Sequence, residues 1–199
     1  MNTTRSAGRN VLVFCASSGS CDPRFHAAAT SLGSTIARNG DTVVYGGGAV
    51  GSMGALANAA LQENGRVIGI IPRFMRELEW SHTDITELRL VEDMQQRKRE
   101  MLACADAIVT LPGGSGTFEE LFEAITSKRL GLFPKPIVIV NQDGYYDPLF
   151  QLLESSVGER FMNEAHLEMW QAVETIDEVL PAIASATHWP EDAVEFATR

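Results

Sequence analysis

Ala107-Ile108-Val109-Thr110-Leu111-Pro112-Gly113-Gly114-Ser115-Gly116-Thr117 runs from an apolar stretch into a proline and three glycines, then continues as Phe118-Glu119-Glu120-Leu121. The apolar part does not alternate with polar residues, so it reads as a strand buried on both faces. The part after the glycines has helical period, so the glycines mark a strand-to-helix turn. Residues 11–16, 42–45, 67–71, 88–91 and 137–140 repeat the strand reading. Helix candidates lie between and after them, at about 23–38, 52–63, 93–104, 117–130 and 145–157. Asp22-Pro23 signals a helix start, whereas Asn39-Gly40, Asn64-Gly65 and Gly131 signal stops. Repeated strand–helix–strand order predicts an α/β fold. It is a doubly wound, mainly parallel sheet of about six or seven strands with helices on both faces.

The 199 residues are 45% apolar and 21% charged, enough for a real core and unlike a disordered chain. Sixteen basic against twenty-six acidic side chains leave a net charge of −10. That field repels polyphosphates and anionic lipid, so neither nucleic acid nor membrane is an expected partner. An anionic ligand must then be held by local cations and backbone amides. Arg5 and Arg9 precede the 11–16 run in the manner of a secretion signal, but the run is too short and reads as a strand. Three cysteines without a C-x-x-C pair predict reduced thiols and a cytoplasmic setting. Four scattered histidines give no metal-ligand spacing, and no metal is expected. Residues 1–9 are expected as a flexible N-terminus, 10–180 as one domain and 181–199 as a terminal helix or tail.

Ligands of open α/β sheets bind beyond the carboxyl ends of the strands. Three small-residue loops fall there: 17–20, 46–48 and 112–117. Gly46-Gly47-Gly48-Ala49-Val50-Gly51 fits G-x-G-x-x-G, yet the region about twenty residues on holds no carboxylate for a ribose, which disfavours NAD. Gly47, Gly48 and Ser18 are instead read as backbone approaching some other ligand. In Gly113-Gly114-Ser115-Gly116-Thr117, successive N–H groups and a helix N-terminus suit a phosphate monoester. No Lys-Ser or Lys-Thr follows, so triphosphate hydrolysis is disfavoured, and G-x-S-x-G fails at Thr117. Glu119, Glu120 and Glu123 suit the positive end of that helix, but Glu120 also lies one turn beyond Gly116, within reach of the ligand. Arg97, Lys98 and Arg99 open the preceding helix, where cations oppose the helix dipole and so need another reason. Phosphate nest, carboxylate and guanidinium together point to chemistry at a phosphorylated sugar or nucleotide.

At these residues the sequence resembles the LONELY GUY (LOG) family of cytokinin riboside 5′-monophosphate phosphoribohydrolases, many of them labelled lysine decarboxylases. The signature P-G-G-x-G-T-x-x-E stands as residues 112–120 and the R-K pair as Arg97-Lys98. Val44-Tyr45-Gly46-Gly47-Gly48, Met53-Gly54, Ile68-Gly69-Ile70-Ile71-Pro72 and Asp143-Gly144-Tyr145-Tyr146-Asp147 also fit. The resemblance implies a Rossmann-like fold, a homodimer, no cofactor, and hydrolysis of adenine-type nucleoside 5′-monophosphates to free base and ribose 5-phosphate. By position it makes Arg97 and Glu120 the catalytic pair. Glu79, Lys98, Gly113, Gly114, Ser115, Gly116, Thr117, Glu119 and Thr126 would hold substrate. Gln95 stands where His is usual, Ser127 for Trp, Ala16 for Gly and Ser52 for Leu. Those near the pocket bear on base preference.

Two other readings remain. A non-catalytic nucleotide or molybdenum-cofactor carrier would use similar loops but needs no Arg97–Glu120 pairing. A pyridoxal-phosphate decarboxylase would need a Schiff-base lysine, for which Lys98 and Lys135 are the candidates.

Overall fold

The structure is a computed structural model describing residues 8–78, 80–190 and 193. Its strands are β1 (Asn10–Phe14), β2 (Thr42–Tyr45), β3 (Val67–Pro72), β4 (Glu87–Val91), β5 (Ala107–Thr110), β6 (Ile137–Val140) and β7 (Gln171–Val173). All pair in parallel in one seven-stranded sheet ordered β4-β3-β2-β1-β5-β6-β7. Seven α-helices accompany them among the described residues: α1 (Pro23–Arg38), α2 (Gly51–Gln62), α3 (Arg73–Glu77), α4 (Met94–Cys104), α5 (Ser115–Arg129), α6 (Asp147–Gly158) and α7 (Val179–Ser185).

The central strands are apolar but for Asn10, Thr42 and Thr110 at their ends, because each face meets a helical layer. Val11, Val13 and Cys15 pack with Leu32 and Ile36 of α1 and Leu56 of α2. Leu12 and Phe14, pointing the opposite way, pack with Met101 of α4 and Leu121, Ala124 and Ile125 of α5. Period-2 alternation therefore survives as a choice of layer rather than of polarity. Strand order reverses between β1 and β5, and the carboxyl ends of these two strands open the crevice where such sheets take ligands.

Asp22 caps α1 as expected, its side chain accepting from the Arg24 N–H at 3.0 Å, with Pro23 in the first turn. Two elements are absent from the sequence reading. β7 is three residues with no apolar run, and α3 is a single short turn after β3. Helix α5 begins at Ser115, two residues earlier than expected, with Gly114 as its N-cap and no side-chain cap. Buried Thr117 thus lies inside the first turn, and Glu119, Glu120 and Glu123 fall beyond it. The dipole accounts for those glutamates less well than the sequence suggested, since its effect fades after the first turn.

Candidate active site

The crevice between β1 and β5 holds a cavity of about 350 Å³. One wall is the turn after β1, from Cys15 to Ser18; the opposite wall is Gly114 to Thr117 at the start of α5. Arg97 of α4 and Glu119 and Glu120 of α5 complete the polar lining. The first N–H groups of a helix have no intrahelical acceptor, and here Ser115, Gly116 and Thr117 carry them at the cavity wall. A helix beginning without a side-chain cap leaves those donors and its positive end available to an anion.

Arg97 and Glu120 are both buried, with the guanidinium Nη2 3.9 Å from the carboxylate Oε1. Nearby, backbone carbonyls hold the arginine. Its Nε donates to Ile70 O at 3.1 Å and its Nη2 to Gly46 O at 3.0 Å, so the ends of β2 and β3 fix the guanidinium plane. Any side chain at Gly46 would run into that guanidinium. The first glycine of G-x-G-x-x-G thus makes room for a buried cation rather than for a dinucleotide. The last, Gly51, has φ 64° and lies against the Ser17 and Ser18 backbone, where a side chain would meet carbonyl oxygen.

Burial pushes the Glu120 carboxyl up from its ordinary value to about 7. Arg97 pulls against that shift and Glu119 adds to it. A carboxyl so placed can hold or release a proton near neutral pH, the range acid–base chemistry requires. Cys15, buried beside both groups, has its thiol pushed far up by desolvation and stays neutral.

The other expected ligands divide. Ser18, Gly114, Ser115, Gly116, Thr117 and Glu119 line this cavity, and Gly48 lines the adjoining chamber. Gly113 lies behind the loop against Thr117, and Gly47 against Ile71 of β3. Lys98 does not line the cavity: its ammonium pairs with Glu119 and, at 2.7 Å, with Glu123, which raises its pKa. Adjacent helical residues diverge by about 100°, so Arg97 entering the strand ends sends Lys98 toward α5. Thr126 is exposed and lines neither space, being about a third of a turn off the Glu120 face. Glu79 lies outside the described residues.

Sequence reasoning missed Met53, Met75 and Met94, which line the cavity from α2, α3 and α4, and Trp80, Val50 and Ile71, which line the second chamber. That chamber, about 310 Å³, adjoins the first through Ser17, Met53, Met75 and Arg97. Met53, Val50 and Ile71 stand in stretches already quoted from the sequence, but nothing in the local pattern marks any of the six as pocket lining, because separate segments bring them together. Gln95 and Ser127 line neither space, whereas Ala16 lines the first.

The model of a family described as "Possible lysine decarboxylase" matches residues 53–183. Over 163 residues the chain is 40% identical to cytokinin riboside 5′-monophosphate phosphoribohydrolase LOG7 of Arabidopsis thaliana, covering 82% of this chain and 75% of that protein. The chain belongs to the LOG family. The cytokinin riboside 5′-monophosphate phosphoribohydrolase of Rhodococcoides fascians is 40% identical over 182 residues, covering 91% of this chain and 92% of the relative. The molybdenum cofactor carrier protein of Chlamydomonas reinhardtii is similar in fold, with a TM-score of 0.68 at 17% identity over 90% of this chain and 98% of that one. A molybdenum cofactor binding protein from Rippkaea orientalis gives 0.67 at 20% identity over 92% and 98%. At such identity the likeness speaks to the Rossmann-like fold alone.

The decarboxylase description does not fit this LOG-family site. Pyridoxal phosphate requires a lysine for its Schiff base, and none lines either chamber. Lys98 is held by two carboxylates, and Lys135 donates to Ala105 O and pairs with Asp106 at 3.6 Å.

Proposed function

We propose that this chain hydrolyses the N-glycosidic bond of adenine-type nucleoside 5′-monophosphates, cytokinin riboside monophosphates or AMP, giving free base and ribose 5-phosphate. The observation that carries this reading is the buried Glu120 carboxyl, poised at about 7 beside Arg97, in one cavity with the uncapped start of α5. The named activity of the relatives, at 40% identity over most of the chain, supports it independently.

The 5′-phosphate takes the N–H groups of Ser115 to Thr117, which fixes the sugar beside α5. The base lies in the Trp80-, Ile71- and Val50-lined chamber, whose apolar walls suit a purine ring or a substituted one. As the bond from C1′ to the base nitrogen lengthens, positive charge grows on the ribosyl ring, and the Glu120 carboxylate stabilises it. Water then adds to C1′, Glu120 accepts its proton, and the base leaves carrying a proton from solvent. Arg97 cannot swing freely, because Gly46 O and Ile70 O hold it. Its part is to balance the negative charge of substrate and carboxylate at a fixed place.

The working unit in this reading is a cytoplasmic homodimer whose catalytic domain is 10–180. Exposed Val50 and Trp80 line the second chamber, and with exposed Phe74 and Leu78 of the α3 segment they would form a face between copies. Exposed Thr126 would then reach substrate only in such an assembly. No helix among the described residues is long and apolar enough to cross a membrane.

Incubation with a panel of nucleoside 5′-monophosphates, with free base measured by chromatography, tests the reading. Adenine or substituted adenine should appear with equimolar ribose 5-phosphate. Tight nucleotide binding without base release would instead make the protein a carrier.

A further inference from the structure

The motif Asp143-Gly144-Tyr145-Tyr146-Asp147 lies outside both chambers, yet its two phenols end on the phosphate loop. Tyr145 Oη donates to Gly113 O at 2.6 Å, and Tyr146 Oη donates to Leu111 O at 2.8 Å. The chain turns back through Asp143 (φ 53°) and Gly144 (φ 73°), and Asn141 pins the turn by accepting from the Tyr146 N–H at 2.7 Å and donating to Asp147 at 2.8 Å. The Tyr145 ring meets Tyr146 edge-on at 5.1 Å and Phe25 of α1 at 5.8 Å. Tyr146 is fully buried, whereas Tyr145 is 38% exposed. The hydroxyl of Tyr145 therefore has water available and still caps one particular carbonyl.

That carbonyl belongs to the peptide that ends in the Gly114 N–H. In a trans peptide C=O and N–H point opposite ways, so drawing Gly113 O outward sets the Gly114 N–H the other way. Two successive glycines give this peptide little resistance to flipping, and a flipped carbonyl would face an incoming anion with negative charge. We infer that Tyr145 is a positioning residue that latches the Gly113–Gly114 peptide and thereby sets the affinity of the α5 N-terminus for a phosphate monoester. The inference rests on the phosphate placement proposed above. Tyr145 touches neither the sugar nor the glycosidic bond, so it governs grip rather than bond cleavage.

Tyr145→Phe removes the hydroxyl and keeps both ring contacts. Binding of inorganic phosphate and of ribose 5-phosphate is measured by calorimetry for both proteins, together with KM and kcat for AMP and kcat/KM for adenosine. The variant should bind both anions and AMP about three- to tenfold more weakly, as expected for one lost hydrogen bond, with kcat and the adenosine rate unchanged. Unchanged anion affinity, or an equal loss on AMP and adenosine, overturns the latch while base release from AMP upholds the proposed function. Weakened anion binding without base release by either protein from AMP or from a cytokinin riboside 5′-monophosphate upholds the latch and overturns that function. A wild-type protein that binds neither anion overturns the latch outright.

Discussion

Helix α5 buries two charged side chains on one face, Glu120 and Lys128, eight residues apart with Ala124 between them. Lys128 lies in the last turn, where the dipole favours a cation, whereas Glu120 lies beyond the first turn, where the dipole has faded. Their surroundings differ. Glu120 borders a cavity of about 350 Å³ and faces a buried guanidinium at 3.9 Å without a hydrogen bond between them. Lys128 is closed in, donating to Lys135 O at 2.9 Å, with the Trp189 ring 6.0 Å away. Desolvation moves both toward neutrality, Glu120 up to about 7 and Lys128 down to about 8. A buried charge beside a space large enough for substrate is equipment for a reaction; one sealed against backbone is a structural cost.

The largest effect that could break this contrast belongs to Glu120→Gln. Base release from the nucleotide should fall by a factor of about 10³ or more, because the uncharged amide neither stabilises the ribosyl cation nor accepts a proton. Stability should move the other way. The folded carboxyl holds its proton up to about pH 7 and the unfolded one only to about 4.5, so the native state loses stability as pH rises across that window. Above it, Gln should raise Tm by several degrees, reflecting up to about 3 kcal/mol, a figure that already includes the pull of Arg97 on the carboxylate. An active Gln variant would remove Glu120 from the mechanism.

Gly46→Ala should come next. Its methyl collides with the Arg97 guanidinium, and a displacement of about 1 Å there should lower kcat/KM by about 10² while leaving the sheet intact. Kinetics beside circular dichroism checks this; near-normal turnover would mean that the arginine's exact seat is immaterial. The pH profile is a milder test. With carboxylate as the working form, kcat/KM should climb between about pH 6 and 8 with a midpoint near 7. The substrate's own second phosphate ionisation lies near 6 and should be resolvable from it. A profile flat across that range would detach activity from Glu120.

How much could be read in advance follows the same division. Strands β1, β2, β5 and β6 were legible because burial on both faces leaves unbroken apolar runs; β7, three residues at the sheet edge, leaves none. Glu120 and Arg97 were legible because each sits against a local rule, one beside a glycine nest and the other a cation at a helix start. Lys98 carried the same signal as Arg97, and only the geometry of α4 sends it to Glu119 and Glu123 instead. Met75 and Trp80 carry no local signal, and Met53 only that of a family stretch, since separate segments converge to place them. The glycines of 46–51 were visible, but the reason for Gly46 was not, as it lies 51 residues away in Arg97.

Lys128→Met closes the comparison with the smallest effect. The folded ammonium gives up its proton near pH 8 and the unfolded one near 10.5, so the folded state carries the full penalty below 8 and sheds it between those values. A methionine of similar length removes the penalty but leaves Lys135 O without its donor. The net gain should be about 1 to 2 kcal/mol at neutral pH, a Tm rise of a few degrees, crossing zero as pH rises and becoming a loss of about 1 to 2 kcal/mol near pH 10.5, where only the unpaired carbonyl is left. Turnover should not change, because Lys128 lines neither chamber. Thermal denaturation of both proteins across that pH range reads the effect directly. A variant equally destabilised at every pH would show that packing around Trp189, and not the buried charge, governs that end of α5.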